Sequence, residues 1–288
     1  MVEHTAGAVK SVGEQVKDMI LHHITNGWDW ELPLWNWDSA SSAIGAPVHL
    51  NPNLLRFELL GIDINMSVSR HILMMFIAAT LLILMGVLVR RKIALIPKGF
   101  ASVIESFVLF IRDEIAQPTM GKHGAAKYTP YLCTTFFFIL TCNLMGLIPY
   151  GSTATGNISV TAGLAVMAFL TIQFAGMRKM GVFGYFGHLV PPGVPWWLAP
   201  VMVVVELMGI FAKPFALCVR LFANMTAGHV VMLSLIGLIF VMGAGIAAVT
   251  VGFGLFMYVL EIFVAFLQSY IFTMLTSLFI GLLIAEEH

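Results

Sequence analysis

Seven charged, histidine or amide side chains lie in two otherwise mostly apolar stretches of the last third of the sequence. They occupy two stretches, residues 206–229 and 261–272. An ionisable group at membrane depth is costly, at roughly 2.5–3.5 kcal/mol for arginine on insertion scales, and such groups usually face protein or water along an ion path. We therefore predict that these stretches carry protons across a membrane, through Glu206, Lys213, Arg220, Asn224, His229, Glu261 and Gln268.

The spacing of these residues fits two facing helices. A helix turns about 100° per residue, so steps of seven and four nearly complete whole turns and keep side chains on one face. In an antiparallel pair, Arg220 is expected opposite Gln268, and the same register brings His229 opposite residue 259. Both pairings place the turn near residues 244–245, where glycines interrupt the apolar sequence. One face is then shared by Glu206, Lys213, Arg220 and Asn224, and the facing helix presents Glu261 and Gln268.

Composition indicates an integral membrane protein. Of the 288 residues, 59% are hydrophobic and 10% are charged, whereas soluble domains carry about 25% charged residues. The formal net charge is zero, so nothing indicates nucleic-acid binding. The three cysteines lie in apolar segments without metal-ligand spacing, and the sequence contains no phosphate-binding glycine loop. We expect no metal site, no cofactor, no catalytic residues and no nucleotide chemistry within the chain.

The chain divides into three parts. Residues 1–69 form a polar N-terminal segment, in which we expect a short amphipathic helix followed by a tryptophan-rich interfacial anchor. Residues 70–195 hold three spans, with an amphipathic surface helix at 97–118 and a loop rich in glycine and proline at 178–195. Residues 196–288 form the polar hairpin. The predicted fold is an all-α polytopic membrane protein with about five membrane-embedded helices.

Basic residues indicate which side of the membrane each loop occupies. The first predicted span, 72–89, ends at two arginines and a lysine, and the third, 158–175, ends at Arg178 and Lys179. Because basic loops favour the cytoplasm, we expect the N-terminal segment outside, the loop at 178–195 cytoplasmic, and both ends of the hairpin cytoplasmic. The second span, 131–148, then runs outward.

The two arms of the hairpin are longer than a membrane requires. Residues 197–242 and 246–285 are continuously apolar apart from the polar groups, although about 20 residues suffice to cross a bilayer. Each arm is therefore either two spans or one steeply tilted helix. We favour tilted helices, because double spans would need turns inside sequence that carries no turn residues.

Several strings in the sequence resemble one membrane protein family. They are KPFALCVRLFANMTAGH, LQSYIF, NLMGLIPY and the terminal AEEH, and they resemble the a subunit of F-type ATP synthases. The resemblance covers nearly the whole chain and implies a stator beside a rotating ring of c subunits, held by the b-subunit peripheral stalk in the cell inner (plasma) membrane. It implies ATP synthesis driven by proton transport, with one essential arginine between two aqueous half-channels.

The resemblance also suggests a role for each polar residue. Arg220 matches the essential arginine, and Gln268 matches a polar position that supports it. His229, Glu261 and Asn224 are expected in the outer half-channel. One departure is Gly146, where some members carry an acid, so the outer channel is expected to rely less on that helix.

Some residues keep alternative interpretations. Glu206 is either part of the inner half-channel or an interfacial acid, and Lys213 is a counter-charge or an interface anchor. His229 and Glu261 are also consistent with a structural ion pair. For the whole chain, the alternative function is a secondary ion-coupled transporter with a midplane Arg/Glu/His site, although transporters of that class often contain repeats and the 206–229 pattern occurs once.

Overall fold

Helices make up nearly all of the described structure. The computed structural model describes residues 17, 29–31, 47–49, 56–59, 62–65, 70–91, 99–148, 153–187, 197–242 and 244–284. Five helical stretches in this part of the chain are long and apolar enough to cross a membrane, which confirms the predicted all-α polytopic fold. The helices are α1 (Arg70–Arg91), α2 (Phe100–Phe110), α3 (Gln117–Gly146), α4 (Ile158–Gly187), α5 (Ala199–Met242) and α6 (Ala247–Ile284).

Four short strands precede α1. They form two antiparallel pairs, and strands of three or four residues are too short for a period-two pattern to predict them. The predicted N-terminal amphipathic helix and the tryptophan-rich anchor lie mostly outside the described residues. The pairs are β1 (Asp29–Glu31) with β2 (Pro47–His49) and β3 (Arg56–Leu59) with β4 (Ile62–Asn65).

The amphipathic helix α2 forms where the sequence predicts it and folds back along α3. A π-helical turn, Ile111–Ala116, joins the two helices. Gly121 then interrupts the helix with φ 69°, a left-handed conformation that glycine adopts readily. Because the rings of Phe107 and Phe136 lie 5.9 Å apart, α2 runs antiparallel beside α3, with Gly121 at the bend.

Helix α4 extends further than predicted. The sequence favours a loop from residue 178 onward, but the structure is helical to Gly187, with a break at Gly181 (φ 75°). The last turn returns toward the bundle, because the Tyr185 hydroxyl donates a hydrogen bond to Gln173. A pattern rich in glycine therefore marks a bend between two helical pieces here, and the loop prediction is wrong for residues 178–187.

The two arms of the hairpin are each one continuous helix. At 1.5 Å per residue, the 44 residues of α5 and the 38 of α6 reach about 66 and 57 Å, roughly twice the 30 Å hydrocarbon core of a bilayer. Their apolar surface continues along this length, so both helices must tilt, as predicted. The turn is also confirmed: a 3₁₀ turn at Ala244–Ile246 joins them.

Helix α6 places small polar side chains inside the bundle and large apolar side chains outside. Ser269, Thr273 and Thr276 are buried and donate hydrogen bonds to carbonyls one turn earlier. Small residues let membrane helices approach closely, and a Cβ on Gly281 would meet the Thr119 carbonyl oxygen at 2.1 Å. This packing fixes the face that α6 presents to α5.

Candidate functional site

Arg220 lies near the middle of α5, about 32 Å from each end of the helix at 1.5 Å per residue. Its side chain is exposed, and neighbouring exposed side chains include Phe215 and Val219. Within the described part of the chain, Arg220 has no hydrogen bond or ion pair. An unpartnered guanidinium thus lies on an apolar surface halfway along a membrane helix.

Next to the arginine, the two arms are joined by an amide pair. Asn224 Nδ2 donates a 2.8 Å hydrogen bond to Gln268 Oε1, and Gln268 is 1% exposed. Gln268 therefore bonds to Asn224 and not to Arg220, the residue with which the sequence paired it. A turn separates Arg220 from Asn224, so the amide pair still borders the arginine.

Glu261 and His229 both lie on the turn-side half of the hairpin. Glu261 is 5% exposed, and its Oε1 makes no hydrogen bond with any described residue. This oxygen lies against Gly228, where an added Cβ would approach it to 2.6 Å. His229 follows Gly228 directly and bonds through Nε2 to the Thr153 hydroxyl. The predicted neighbourhood of His229 and Glu261 is present.

Polar residues of α1, α3 and the turn before α4 form hydrogen bonds near this part of the hairpin. His71, at the start of α1, lies 3.0 Å through Nδ1 from the Thr153 carbonyl oxygen. Asn143 is fully buried in α3, accepts a 2.7 Å hydrogen bond from Thr155 and donates to the carbonyl of Ala265, one turn from Glu261. One set of hydrogen bonds thus connects His71, Thr153 and His229, and a second connects Thr155 and Asn143 to Ala265, one turn from Glu261. We define the outer polar group as His71, Asn143, Thr153, Thr155, His229 and Glu261.

The remaining two predicted residues, Glu206 and Lys213, line one cavity of about 210 Å³ between α4, α5 and α6. Gln173 and Tyr185 of α4 line the same cavity. Lys213 also lies with its Nζ 5.2 Å from the Phe279 ring centroid. We call this space the inner cavity; Arg220 does not line it.

The arrangement holds groups that can exchange protons in two separate places along the hairpin. The outer polar group offers imidazole, hydroxyl and carboxyl groups that can relay protons. The inner cavity offers a carboxylate and a phenol. Between them stands Arg220, whose guanidinium keeps its charge at any physiological pH. Among the described residues, no three histidine, cysteine or acidic side chains are placed to hold a metal ion.

Comparison with known proteins identifies the family. The model of the family described as "ATP synthase A chain" matches residues 72–281. The chain belongs to the ATP synthase A chain family. It is 46% identical to ATP synthase subunit a 2 of Chlorobaculum tepidum over 99% of this chain and 78% of that protein. It is 43% identical to ATP synthase subunit a of an Anaeromyxobacter species over 98% and 74% of the two chains, and 48% identical to that of Myxococcus xanthus over 78% and 75%.

Several site residues of this member of the ATP synthase A chain family cannot be predicted from sequence patterns. His71 begins a span, where a histidine is an ordinary interfacial residue, and Thr153 and Thr155 lie in a turn rich in small polar residues. Two others could have been detected: Asn143 and, in the inner cavity, Gln173 are amides inside apolar spans, and polar groups at membrane depth are unusual.

Proposed function

We propose that this chain is the proton-translocating stator subunit of the membrane sector of a rotary ATP synthase. Two half-channels lead to opposite sides of the membrane and are separated by Arg220, which stands next to the c-ring carboxylates. The chain itself is non-catalytic, and ATP chemistry takes place on other subunits of the complex. Membership of the ATP synthase A chain family supports the assembly, and the position of Arg220 supports the mechanism.

The exposed, unpartnered Arg220 is the observation that carries this proposal. Its surroundings on the same surface are small: Ala216, Ala223 and Ala227 are exposed around it, together with Asn224. Small residues allow a partner helix to approach closely, and a charge in hydrocarbon requires a counter-charge or water. A ring helix carrying a buried carboxylate satisfies both conditions.

The mechanism follows from the permanent charge of the guanidinium. A fixed cation favours the ionised form of an adjacent carboxylate, so each ring carboxylate that reaches Arg220 releases its proton. An ionised carboxylate cannot face lipid and must be reprotonated before the ring carries it away. Arg220 also repels protons that would pass straight between the half-channels. One charge crossing 100 mV is worth about 2.3 kcal/mol, which is enough to bias rotation.

The outer half-channel is formed by the outer polar group and Asn224. His229 and Glu261 exchange protons with one another and with the ring, while Thr153 holds the His229 ring in place through its hydroxyl. Gly146 leaves the room that this contact needs, because a Cβ there would lie 2.2 Å from the Thr153 hydroxyl oxygen. The hydroxyl and the two histidines thus take the place of the acid that other members carry on α3.

The inner half-channel starts at the inner cavity. Glu206 accepts the proton released from the ring, and Lys213 supplies a counter-charge nearby. The amide of Gln173 and the hydroxyl of Tyr185, which are bonded to one another, line the same space and can hold water. Gln268 supports the arginine indirectly, by fixing Asn224.

The proposed orientation in the membrane follows from the positions of the basic residues along the sequence. The chain lies in the inner (plasma) membrane with its N-terminus outside and its C-terminus in the cytoplasm. Residues 1–69 form the extracytoplasmic segment, residues 70–195 the first three spans, and residues 196–288 the hairpin that follows the curve of the c ring. The b-subunit peripheral stalk is a further partner of the chain.

The proposal is tested by Arg220→Ala in the assembled complex. ATP-driven proton pumping into inverted membrane vesicles should be abolished, because the ring carboxylates no longer release protons at the interface. Arg112→Ala is the matched control: it removes an exposed arginine whose partner, Asp113, lies on the same helical turn, and pumping should be retained. Normal pumping by Arg220→Ala contradicts the mechanism, and ion transport by the purified chain without a ring would favour a secondary transporter.

A further inference from the structure

A second cavity lies at the end of the bundle where α3 begins and α4 and α6 end. It measures about 540 Å³, within the range of 300–1,000 Å³ typical of ligand sites. The polar residues of the proposed proton path do not line it. Five basic side chains do, and we call it the basic cavity: Lys122, His123, Lys127, Arg178 and Lys179.

The charged side chains described in the lining of the basic cavity are all basic. None of the described residues that line it is acidic. The Lys127 ammonium lies 5.2 Å from the Tyr128 ring centroid, so the aromatic ring helps to orient it. Four side chains that are cationic at neutral pH converge on one space, and this concentration of charge favours an anion with several oxygen acceptors.

The floor of the basic cavity is apolar. Met120, Ala175 and Ile284 line the cavity, and Met120 and Ala175 are buried, whereas the lysines and Arg178 are exposed. The packing is close there, since a Cβ on Gly124 would lie 2.8 Å from Ile284 Cδ1. The bend at Gly121, with φ 69°, opens the space by turning the chain before α3 continues. A cationic rim above an apolar floor matches a molecule with an anionic head and an apolar body.

We propose that the basic cavity binds the phosphate headgroup of an anionic phospholipid. Basic pockets between membrane helices on the cytoplasmic side bind such headgroups, and the basic residues here lie on the side that the positive-inside tendency assigns to the cytoplasm. The phosphate oxygens accept hydrogen bonds from the lysines and Arg178, and the acyl chains continue along the apolar surface of the helices. This inference is independent of the proton path.

Two other anions can reach the same place and must be distinguished. Glu286 and Glu287 follow Ile284 by two and three residues, a reach of about 7–10 Å in an extended chain. Free phosphate carries the same oxygen acceptors as the lipid headgroup. We favour the lipid because the apolar floor offers nothing to free phosphate or to a pair of glutamates.

The test measures lipid binding to the purified, assembled complex. The complex is reconstituted into phosphatidylcholine nanodiscs that contain spin-labelled phosphatidylglycerol, and the immobilised fraction is titrated. Removing one charge with Lys127→Gln should weaken binding about fivefold, and Lys127→Gln with Arg178→Gln about thirtyfold, as about 1 kcal/mol per basic residue implies. Arg112→Gln, which removes a charge elsewhere, should leave the affinity unchanged.

Three further arms decide between the anions and control for structure. Conservative Lys127→Arg with Arg178→Lys should retain the affinity; a thirtyfold loss there too would show a packing effect and overturn the proposal. Displacement of the lipid by millimolar inorganic phosphate would assign the cavity to free phosphate. If the unmodified complex shows no preference for phosphatidylglycerol, and Glu286→Gln with Glu287→Gln creates one, the cavity belongs to the chain's own acidic segment. Equal loss in the Arg112→Gln control would likewise overturn the lipid site.

Discussion

The polar side chains of the hairpin differ in how the free-energy cost of placing them in an apolar environment is offset. The Oε1 of buried Gln268 accepts a hydrogen bond from Asn224, whereas its Nε2 has no hydrogen-bond partner among the described residues. His229 is bonded to Thr153. Arg220 has no described partner within the chain, and an arginine in hydrocarbon costs roughly 2.5–3.5 kcal/mol on insertion scales. This uncompensated cost indicates that Arg220 has a partner outside the chain.

Gly228 offers a test of the Glu261 carboxyl group that leaves the carboxyl group itself intact. Gly228→Ala places a methyl group 2.6 Å from the present position of Glu261 Oε1 and 3.0 Å from Cδ, so the carboxyl end must rotate away from residue 228. Alanine in a helix interior is otherwise favourable by roughly 0.5–1 kcal/mol relative to glycine. We expect proton pumping to fall about tenfold, which corresponds to about 1.4 kcal/mol, with normal assembly.

Gly163→Ala in α4 is the control for this variant, because a Cβ at Gly163 meets nothing within 4 Å. It should pump normally. Unchanged pumping by Gly228→Ala would show that the position of the Glu261 carboxyl group is unimportant for transport.

At the residue scale, sequence patterns predict the polar groups that repeat along apolar helices. They do not predict the polar residues of other elements that pack against these groups. Spacing of seven and four residues predicts the shared face of α5. No comparable pattern links His71 or Thr153 to the hairpin, because both lie at element ends, where polar residues are ordinary. Their contact with the site depends on tertiary packing that brings α1 and the turn before α4 to His229.

At the element scale, α6 is held by close contacts of small residues against α3. Ser277 and Thr119 hydroxyls lie 2.6 Å apart, and the Gly281 backbone packs against the Thr119 carbonyl group. This contact fixes α6 at its far end, while the amide pair joins it to α5 in the middle. The position of the whole second arm depends on these two attachments.

Gly281→Ala should loosen the first attachment. Its Cβ would lie 2.1 Å from the Thr119 carbonyl oxygen, and because this neighbour is backbone, the helices must separate. Overpacking of this kind typically costs about 1–3 kcal/mol. We expect a lower thermal midpoint for the solubilised protein and reduced assembly. Gly254→Ala, on the same helix but with nothing within 4 Å of the new Cβ, should match the unmodified protein; equal midpoints for both variants would contradict the close contact.

Element lengths were predictable where apolar sequence is uninterrupted and less so where glycine intervenes. The arms α5 and α6 begin and end within two residues of their predicted limits. Helix α3 begins earlier than the predicted span, and α4 continues past its own. In both cases glycine takes a positive φ, at Gly121 and Gly181, and helix resumes on the far side. Sequence cannot distinguish a bend of this kind from a loop, since both use glycine's freedom in the same way.

At the scale of the whole molecule, the bundle has one end rich in basic residues and one rich in small hydroxyl residues. The basic cavity occupies the first, and the turn with Thr153 and Thr155 lies between α3 and α4 at the second. The positive-inside tendency then gives the orientation in the membrane. In the proposed orientation, the outer polar group faces the outer side and the inner cavity lies toward the cytoplasm.

Labelling from each side of the membrane tests this orientation. Phe183, 95% exposed near the end of α4, and Ile148, 58% exposed just after α3, lie at opposite ends of the bundle. In inverted vesicles a membrane-impermeant maleimide should label Phe183→Cys and spare Ile148→Cys, and in right-side-out spheroplasts the pattern should reverse. The opposite labelling of the two positions would show that the channels are assigned to the wrong sides.

The central claim is that Arg220 and the exposed residues around it contact the ring, and cysteine cross-linking tests this contact most directly. Ala223→Cys is introduced next to Arg220 after Cys133, Cys142 and Cys218 have been replaced by alanine, and a second cysteine is placed one turn from the ring carboxylate. We predict a disulfide cross-link between the two subunits in intact membranes, and none from Thr80→Cys on the exposed surface of α1. Absence of the cross-link at Ala223→Cys, or equal yields at both positions, would contradict the placement of Arg220 against a moving carboxylate.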